Sequence, residues 1–235
     1  MQPVVAGGHI CHRREHDRRN RHRDRHGGTP RIAAVILAGG KGERLGGVIK
    51  ANLEIGGVRL LDRVTEAMTD VASPILVAHG GLDPVVLHLT GQHVPIPDLP
   101  ADHAGPLAGV AAAIAWCCAQ PEPPEYLASL AVDTPFFPHD FIGKAITAIG
   151  SESSAIIARY GTQDYPTNAL WRLSAVAALP ARIADGTAPH SLKRLAAELE
   201  AKSLEWPASA AGDPFVNANT PADLLALEAR AAARG

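Results

Sequence analysis

The stretch IAAVILAGGKGERLGGVIK, residues 32–50, decides the fold. Its first seven residues form a short apolar run that ends at Gly39 and Gly40, which is typical of a buried parallel strand followed by a tight loop. Polar residues and further glycines then continue to Lys50. Because a doubly wound sheet places its ligand crevice at such a strand-to-loop junction, we expect an α/β fold with a ligand site here.

Alternating strand and helix patterns continue along the chain. Apolar runs predict strands at residues 74–79, 93–96, 126–133, 154–159 and 168–173. Helices are predicted at residues 61–71, 84–89, 105–120, 137–149, 175–179 and 191–200. A last helix should follow a strand end at residues 215–219, with Thr220 as its N-cap. This order predicts a three-layer, Rossmann-like domain with a mostly parallel sheet, spanning residues 31–235.

Residues 1–30 differ from the rest of the chain. They carry a net charge of +4, are rich in histidine and lack apolar periodicity, which predicts a disordered basic tail. Its histidines with Cys11 could bind metal and its arginines could bind nucleic acid, but a solvated extension is the simpler interpretation. The remaining residues have a net charge of −6, which argues against a nucleic-acid partner.

Cysteine usage and hydropathy bear on the compartment. The chain has three cysteines without framework spacing, which indicates free thiols in a reducing compartment. We expect Cys117 and Cys118 to be small buried hydrophobes rather than nucleophiles. No apolar run approaches the roughly 20 residues that span a bilayer, and no apolar segment follows the basic N-terminal stretch. The expectation is a cytoplasmic protein without a membrane partner.

The glycine-rich loop predicts phosphate binding. Its glycines leave backbone N–H groups free to approach phosphate oxygens, and Arg44 and Lys50 add positive charge for a triphosphate and its pyrophosphate leaving group. The spacing fits neither the Walker pattern nor the dinucleotide-binding pattern. A flexible glycine-rich turn is the alternative, and the preceding strand and the two cations favour phosphate binding over it.

The segment VDTPFFP, residues 132–138, predicts a metal site. Asp133 follows a buried apolar run, so its carboxylate should lie at the mouth of the sheet, where it can hold a cation against phosphates. Magnesium needs few protein ligands when the triphosphate supplies oxygens of its own. The alternative is an aspartate that merely opens a turn with Thr134 and Pro135.

Four stretches together resemble the molybdenum cofactor guanylyltransferase family: residues 37–50, DLPADHAGPLAGV at 98–110, VDTPFFP at 132–138 and FVNANTPADL at 215–224. The resemblance runs from about residue 31 to the C-terminus. It implies a nucleotidyltransferase (GT-A-like) domain that uses Mg²⁺ to transfer GMP from GTP to molybdenum-bound molybdopterin, with pyrophosphate as the second product. It also implies encounters with molybdenum-insertion proteins and molybdoenzyme-specific chaperones.

The resemblance assigns roles to individual residues. Asp133 would hold the metal and act with Arg44 and Lys50 in catalysis. Nucleotide contacts are implied for Leu37, Ala38, Gly39, Gly40, Gly47, Lys50 and Asp98. A fixed carboxylate at Asp98 suits the N–H donors of guanine, and Asp102 is a nearby competitor.

Asn217 and Asn219 are the last two candidate residues. The resemblance implies that they recognise molybdopterin, and their i, i+2 spacing at a strand end would point both amides the same way. The equally favoured alternative is turn chemistry that sets up the helix after Thr220.

Three positions depart from the family pattern. Ile49 stands where the family usually has an aspartate before the loop lysine, and no asparagine occurs around Ala78 and His79. A basic residue facing the acceptor has no clear match, and the candidates are His190, Lys193 and Arg194. Two other functions therefore stay open: another nucleotidyltransferase, using CTP or a sugar or alcohol phosphate, and a non-catalytic nucleotide-binding carrier.

Overall fold

A seven-stranded sheet forms the centre of the computed structural model, which describes residues 29–40, 45–100 and 105–233. Its strands are β1 (Ile32–Leu37), β4 (Ile75–Ala78), β5 (His93–Ile96), β6 (Tyr126–Ala131), β7 (Ala155–Tyr160), β8 (Gln163–Arg172) and β9 (Lys202–Trp206). A separate hairpin pairs β2 (Glu54–Ile55) with β3 (Val58–Arg59). The strand order is β5-β4-β1-β6-β8-β7-β9, and β8 alone runs antiparallel to both of its neighbours.

Helices cover both faces of this sheet. They are α1 (Leu60–Thr69), α2 (Pro106–Cys118), α3 (Phe141–Ile149), α4 (Leu173–Val176), α5 (Leu179–Ala184), α6 (Leu192–Glu198) and α7 (Pro221–Ala232). Short 3-10 helices occupy Lys50–Asn52 and Pro84–Leu87. Buried side chains of α1 and α3 pack on one face, and those of α2, α4, α5 and α6 pack on the other. None of the helices in the described ranges is long and apolar enough to cross a bilayer.

Strand β1 shows why the sheet is covered on both sides. Ile32, Ala34 and Ile36 belong to one core cluster, whereas Ala33 and Val35 belong to the other. Successive side chains of a strand point to opposite faces, so a continuous apolar run requires two covered faces. The predicted three-layer α/β fold with a mostly parallel sheet is confirmed.

Some predicted elements were wrong or incomplete. Residues 215–219 contain no strand, and their backbone meets the loop after β6 through a hydrogen bond from Ala218 N–H to Asp133 O at 2.9 Å. Strand β9 was missed because its side chains are half-buried or exposed and form no apolar run. The helix predicted at 175–179 is replaced by α4 and α5, and β8 begins five residues before its predicted start. Residues 1–28 of the predicted tail, with Cys11, lie outside the described residues.

The two neighbouring cysteines have different environments. Cys117 is buried, and burial, reinforced by Cys118, raises the pKa of its thiol to about 12, so it stays protonated at neutral pH. Cys118 is exposed, which contradicts the expectation for that residue. An α-helix turns about 100° per residue, so adjacent positions cannot both face the same sheet.

Candidate functional site

The carboxyl ends of β1, β4 and β6 meet at one edge of the sheet and open into a cavity of about 310 Å³. Leu37, Ala78 and Ala131, the last residues of these strands, all line it. The rest of the lining comes from the loops that follow and from β8: Gly39, Gly40, Lys50, Gly81, Asp98, Gly105, Pro106, Val132, Asp133, Thr167 and Asn217. This is the crevice that parallel α/β sheets offer to ligands.

One end of the cavity is shaped by two glycines in direct contact. A Cβ atom added to Gly39 would lie 2.9 Å from both Cα and N of Gly80, a separation that real Cβ atoms do not adopt. Gly80 itself has a φ of +62°, which favours glycine. A Cβ on Gly40, the next residue, would meet nothing within 4 Å. Backbone therefore packs on backbone at Gly39, and the end of β1 lies close to the turn after β4.

Asp98 is fixed to the same turn. Its Oδ1 atom accepts a hydrogen bond from Gly80 N–H at 3.0 Å, and Oδ2 has no hydrogen bond to the part of the chain that the structure describes. Burial raises the pKa of the Asp98 carboxyl and outweighs the opposing effects of the Gly80 hydrogen bond and of His79. Gly109 of α2 packs beside this carboxylate, and a Cβ there would lie 2.9 Å from Leu37 Cδ2 and 3.0 Å from Ala78 Cβ.

The opposite end carries a cluster of charged and amide groups. Lys50 Nζ lies 2.6 Å from Asp133 Oδ2, and both side chains are only 13% exposed. The same ammonium donates to Asn219 Oδ1. Two oxygens from segments far apart in sequence thus converge on one cation.

This donor set fits a hard divalent ion that arrives with further oxygens. Carboxylate and amide oxygens are ligands that Mg²⁺ accepts, and it commonly takes one or two carboxylates together with phosphate oxygens of the substrate. Among the described residues, no group of three or more His, Cys, Asp or Glu side chains is placed to hold a metal ion. A cation at Asp133 would therefore depend on substrate oxygens for most of its coordination.

The start of α7 positions the two asparagines. Thr220 and Asp223 form a capping box, in which Asp223 Oδ2 accepts from Thr220 N–H at 2.8 Å. The same oxygen accepts from Asn219 N–H at 3.0 Å, which fixes the backbone that carries the Asn219 amide. Asn217 Oδ1 accepts from Thr134 Oγ1 at 3.3 Å. Both asparagines thus lie beside Asp133, although the predicted strand end does not exist.

Most of the candidate residues predicted from the sequence gather here. Seven of them line the cavity: Leu37, Gly39, Gly40, Lys50, Asp98, Asp133 and Asn217. Asn219 joins them through Lys50. Ala38 is fully buried and Gly47 is exposed with a φ of +79°, and neither lines the cavity. Arg44 and Asp102 lie outside the described residues.

The acceptor-facing candidates are not brought into the cavity. His190, Lys193 and Arg194 are absent from its lining. They lie in and just before α6, whose N-cap is Ser191. Sequence reasoning missed Thr167, which does line the cavity. Its only local signal is the Pro166 that precedes it inside a strand, where proline is unusual.

Comparison with known proteins gives the family. Residues 34–203 match the model of the MobA-like NTP transferase domain. The chain is 38% identical over 198 residues to a molybdenum cofactor guanylyltransferase of Acidiphilium cryptum, covering 84% of this chain and 94% of that protein. It is 35% identical to the enzyme of the same name from Rhodobacter capsulatus, covering 85% and 96%.

The chain belongs to the molybdenum cofactor guanylyltransferase family. The family resemblance inferred from the four sequence stretches is thereby confirmed. The domain match ends at residue 203, so Asn217, Asn219 and α7 lie beyond it, and their place in the site rests on the geometry above.

Solved structures agree with the fold of this guanylyltransferase family member. Molybdopterin-guanine dinucleotide biosynthesis protein A from Archaeoglobus fulgidus superposes with a TM-score of 0.60 at 20% identity, covering 86% of this chain and 99% of that one. A 2-C-methyl-D-erythritol 4-phosphate cytidylyltransferase from Thermus thermophilus gives a TM-score of 0.60 at 18% identity, covering 86% and 99%. At these identities the likeness establishes the nucleotidyltransferase fold alone.

Proposed function

We propose that this protein transfers GMP from GTP to the terminal phosphate of molybdenum-bound molybdopterin, forming molybdopterin guanine dinucleotide and pyrophosphate. One observation carries the proposal: a single cavity has a fixed carboxylate, Asp98, at one end and the Lys50–Asp133–Asn219 cluster at the other. A guanine nucleotide has complementary groups in the same order, with N–H donors on its base and negative charge on its phosphates. The names of the curated relatives support the same reaction.

Asp98 would select the base. With Oδ1 engaged by Gly80 N–H, the second carboxylate oxygen can accept from the N1–H and N2–H donors of guanine. Adenine and cytosine present an acceptor at the equivalent ring nitrogen, which would face the carboxylate unfavourably. A carboxylate held at a fixed point therefore favours GTP over ATP and CTP.

Lys50 and Asp133 would act on the phosphates. Asp133 would hold Mg²⁺, with Asn219 and Asn217 as neighbouring oxygen donors, and the bound ion would neutralise charge on the triphosphate and the leaving pyrophosphate. The charge of the bound ion would weaken the ion pair between Lys50 and Asp133, and Lys50 would then donate to phosphate oxygens. Arg44 stays a predicted second cation of the loop, and Ala38 and Gly47 stay predicted backbone contacts.

The chemistry asks little else of the protein. A phosphate oxygen of the acceptor attacks the α-phosphorus of GTP in line, a P–O bond forms, and the bond to the β-phosphate oxygen breaks with its electron pair leaving on pyrophosphate. No general base is required because a phosphate nucleophile is already ionised at neutral pH. Catalysis then comes from holding the two phosphates in line and from stabilising the developing charge.

A nucleotide-binding carrier is the second candidate, and Ile49 favours it. This side chain is partly buried and packs against the core cluster under the phosphate loop, where the family usually has a carboxylate. A chain that lacks that carboxylate could retain nucleotide affinity and lose turnover.

Pyrophosphate release tests these functions. The full chain is assayed with each of the four NTPs in the presence of Mg²⁺ and molybdopterin loaded with molybdate, and nucleotide binding is measured separately by calorimetry. We expect release with GTP and little with ATP, CTP or UTP. A preference for CTP would identify a cytidylyltransferase, whereas GTP binding without release under any condition would leave only the carrier.

The compartment and protein partners follow from this function. Cys117 and Cys118 are free thiols, which fits a reducing cytoplasm as the place of reaction. Because the product must reach molybdoenzymes, molybdenum-insertion proteins and molybdoenzyme-specific chaperones are the proposed partners.

A further inference from the structure

Strand β8 contains a bulge beside the cavity. Its residue Ala169 pairs with Ile157 of β7, and its residue Tyr165 pairs with Ala158, the very next residue of β7. Residues 166–168 of β8 therefore have no counterpart on the neighbouring strand. Bulges occur preferentially next to active sites, where they re-aim a side chain that a regular strand would point elsewhere.

Asn168 holds this bulge in place. Its side chain is fully buried, and its Oδ1 atom accepts from Ala131 N–H at 3.1 Å, replacing the ladder bond that the bulge removes. Its Nδ2 atom is buried without a hydrogen-bond partner in the described part of the chain. A buried amide donor left unpaired is costly, so the fold maintains the bulge against an energetic penalty.

Thr167 is the residue that the bulge presents. It follows Pro166, which has no N–H to offer a ladder and so suits a bulge. Thr167 lines the cavity together with Asp133 and Asn217. Its hydroxyl makes no hydrogen bond to any residue within the described ranges. A half-buried threonine that lines the cavity in this way can offer its hydroxyl to a ligand oxygen.

The strand order says which ligand that is. Asp98 follows β5, Gly39 follows β1, Asp133 follows β6, and Thr167 lies on β8, one strand beyond. Neighbouring strands are about 4.8 Å apart, so the nucleotide extends from the β5 side towards Asp133 and Thr167 lies past it. The pairing of β8 with β6 ends at Ser129–Ala169, and beyond it Asn168 Oδ1 contacts Ala131 N–H, so Thr167 lies next in the direction of Asp133. For a nucleotide bound as proposed, the acceptor phosphate would approach from this side.

We propose that Thr167 is an acceptor-binding residue, whose Oγ1–H donates a hydrogen bond to the terminal phosphate of the pterin acceptor and orients it towards the α-phosphorus of GTP. This inference rests on the proposed transfer reaction. It adds β8 to the recognition of the second substrate, for which the resemblance also implies Asn217 and Asn219, whereas the candidates His190, Lys193 and Arg194 do not line the cavity.

Paired variants of Thr167 test the inference in the full chain. Thr167→Val removes the hydroxyl at nearly constant shape, and Thr167→Ser keeps it. Pyrophosphate release is measured with GTP saturating and molybdopterin varied, then the reverse, and GTP affinity is measured by calorimetry without acceptor. We expect Thr167→Val to raise the KM for molybdopterin about tenfold, the effect of one hydrogen bond to a charged oxygen. GTP affinity and the melting temperature should stay unchanged, and Thr167→Ser should restore the acceptor KM.

Other outcomes overturn the inference in distinguishable ways. If the unaltered chain turns over and Thr167→Val has the same acceptor KM, Thr167 has no role in acceptor binding. A parallel loss of GTP affinity would place the hydroxyl on the nucleotide instead. Absence of turnover by the unaltered chain would overturn the proposed function and this inference with it.

Discussion

The two ends of the cavity are built on opposite principles. Around Asp98, Gly39 and Gly80 bring backbone into contact with backbone, Gly109 packs against side chains, and a methyl group added at Gly39 or Gly109 would lie within 3.0 Å of a neighbour. Around Asp133, side chains from three distant segments meet through an ion pair and hydrogen bonds. At the Asp98 end, close packing requires glycines, so a methyl group added at Gly39 or Gly109 should be destabilising. At the Asp133 end, charged groups face one another, so the loss of a charge should impair the site.

Loss of charge at Asp133 should have the largest effect. Asp133→Asn keeps the shape of the side chain but removes the negative charge that faces Lys50 and would hold Mg²⁺. We expect pyrophosphate release to fall on the order of 10²–10³-fold, the usual cost of removing one group that stabilises charge in the transition state. Asp140→Asn is the matched control and should leave the rate unchanged. Asp140 lies seven residues after Asp133, is exposed, and pairs with Lys144. Equal rates for both variants would remove Asp133 from the site.

An added methyl group tests the glycine end. Gly39→Ala should destabilise the fold by about 1–3 kcal/mol and weaken GTP binding, because the new Cβ meets the backbone of Gly80 and cannot move aside. Gly40→Ala places the same atom one residue later in open space and should change stability by less than about 0.5 kcal/mol. Chemical denaturation of both variants measures the difference. Similar stabilities would contradict the close contact between Gly39 and Gly80.

Replacement of Asp98 tests whether its end of the cavity selects the base of the nucleotide. In Asp98→Asn, an amide oxygen can still accept from Gly80 N–H, which leaves an NH₂ group to face the N–H donors of guanine. We expect GTP affinity to fall about tenfold, with a smaller loss for ATP or CTP. Calorimetry with each nucleotide tests this, and an equal loss for all of them would show that Asp98 acts on shape rather than on the base.

The pH dependence of GTP affinity follows from the same carboxyl. Burial raises the pKa of Asp98 above its ordinary value of 3.8, so on acidification it takes up a proton earlier than a solvated aspartate does. Guanine binding requires the ionised form, and affinity should therefore be full at neutral pH and fall as the pH drops through the raised pKa. The difference between the unaltered chain and Asp98→Asn isolates this group, because titration of GTP itself is common to both.

The smallest expected effect concerns the positioning of Asn219. Asp223→Ala removes the capping box of α7 and the acceptor for Asn219 N–H, and should cost about 1 kcal/mol of stability together with a severalfold loss of kcat. Ser191→Ala removes the N-cap of α6, outside the cavity, and should cost similar stability without a loss of kcat. If the two variants lost kcat equally, the effect would be one of stability alone.

The elements that build the Asp98 end could be predicted from the sequence because their determinants are local. The apolar run of β1, the glycines after it and the small residues of α2 lie in continuous stretches whose periodicity and composition indicate structure directly. The N-cap of α7 at Thr220 was likewise predicted from the sequence, and the structure adds Asp223, three residues on, as its partner in a capping box. The family resemblance added the identity of the nucleotide and the acceptor.

The Asp133 end could be predicted only in part. Asp133, Asn217 and Asn219 were predicted as candidate residues. The contact between Lys50 and Asn219 was not, because these residues are 169 positions apart and their contact depends on how α7 packs beside the loop after β6. The strand expected at residues 215–219 was wrong: this segment has no regular structure and is tied to the loop after β6 by a hydrogen bond from Ala218 N–H to Asp133 O. Thr167 was missed because a bulge is set by register against a neighbouring strand.

By itself, the sequence determined the α/β class and predicted the glycine-rich loop and the carboxylates as candidates, because each depends on neighbours within a few positions. Only the tertiary structure decided that Gly39 rests on Gly80, that Lys50 bridges Asp133 and Asn219, and that β8 turns Thr167 into the cavity. Those features arise from the packing and hydrogen bonding of segments distant in sequence, and short-range patterns carry no record of which distant backbone or side chain will lie alongside.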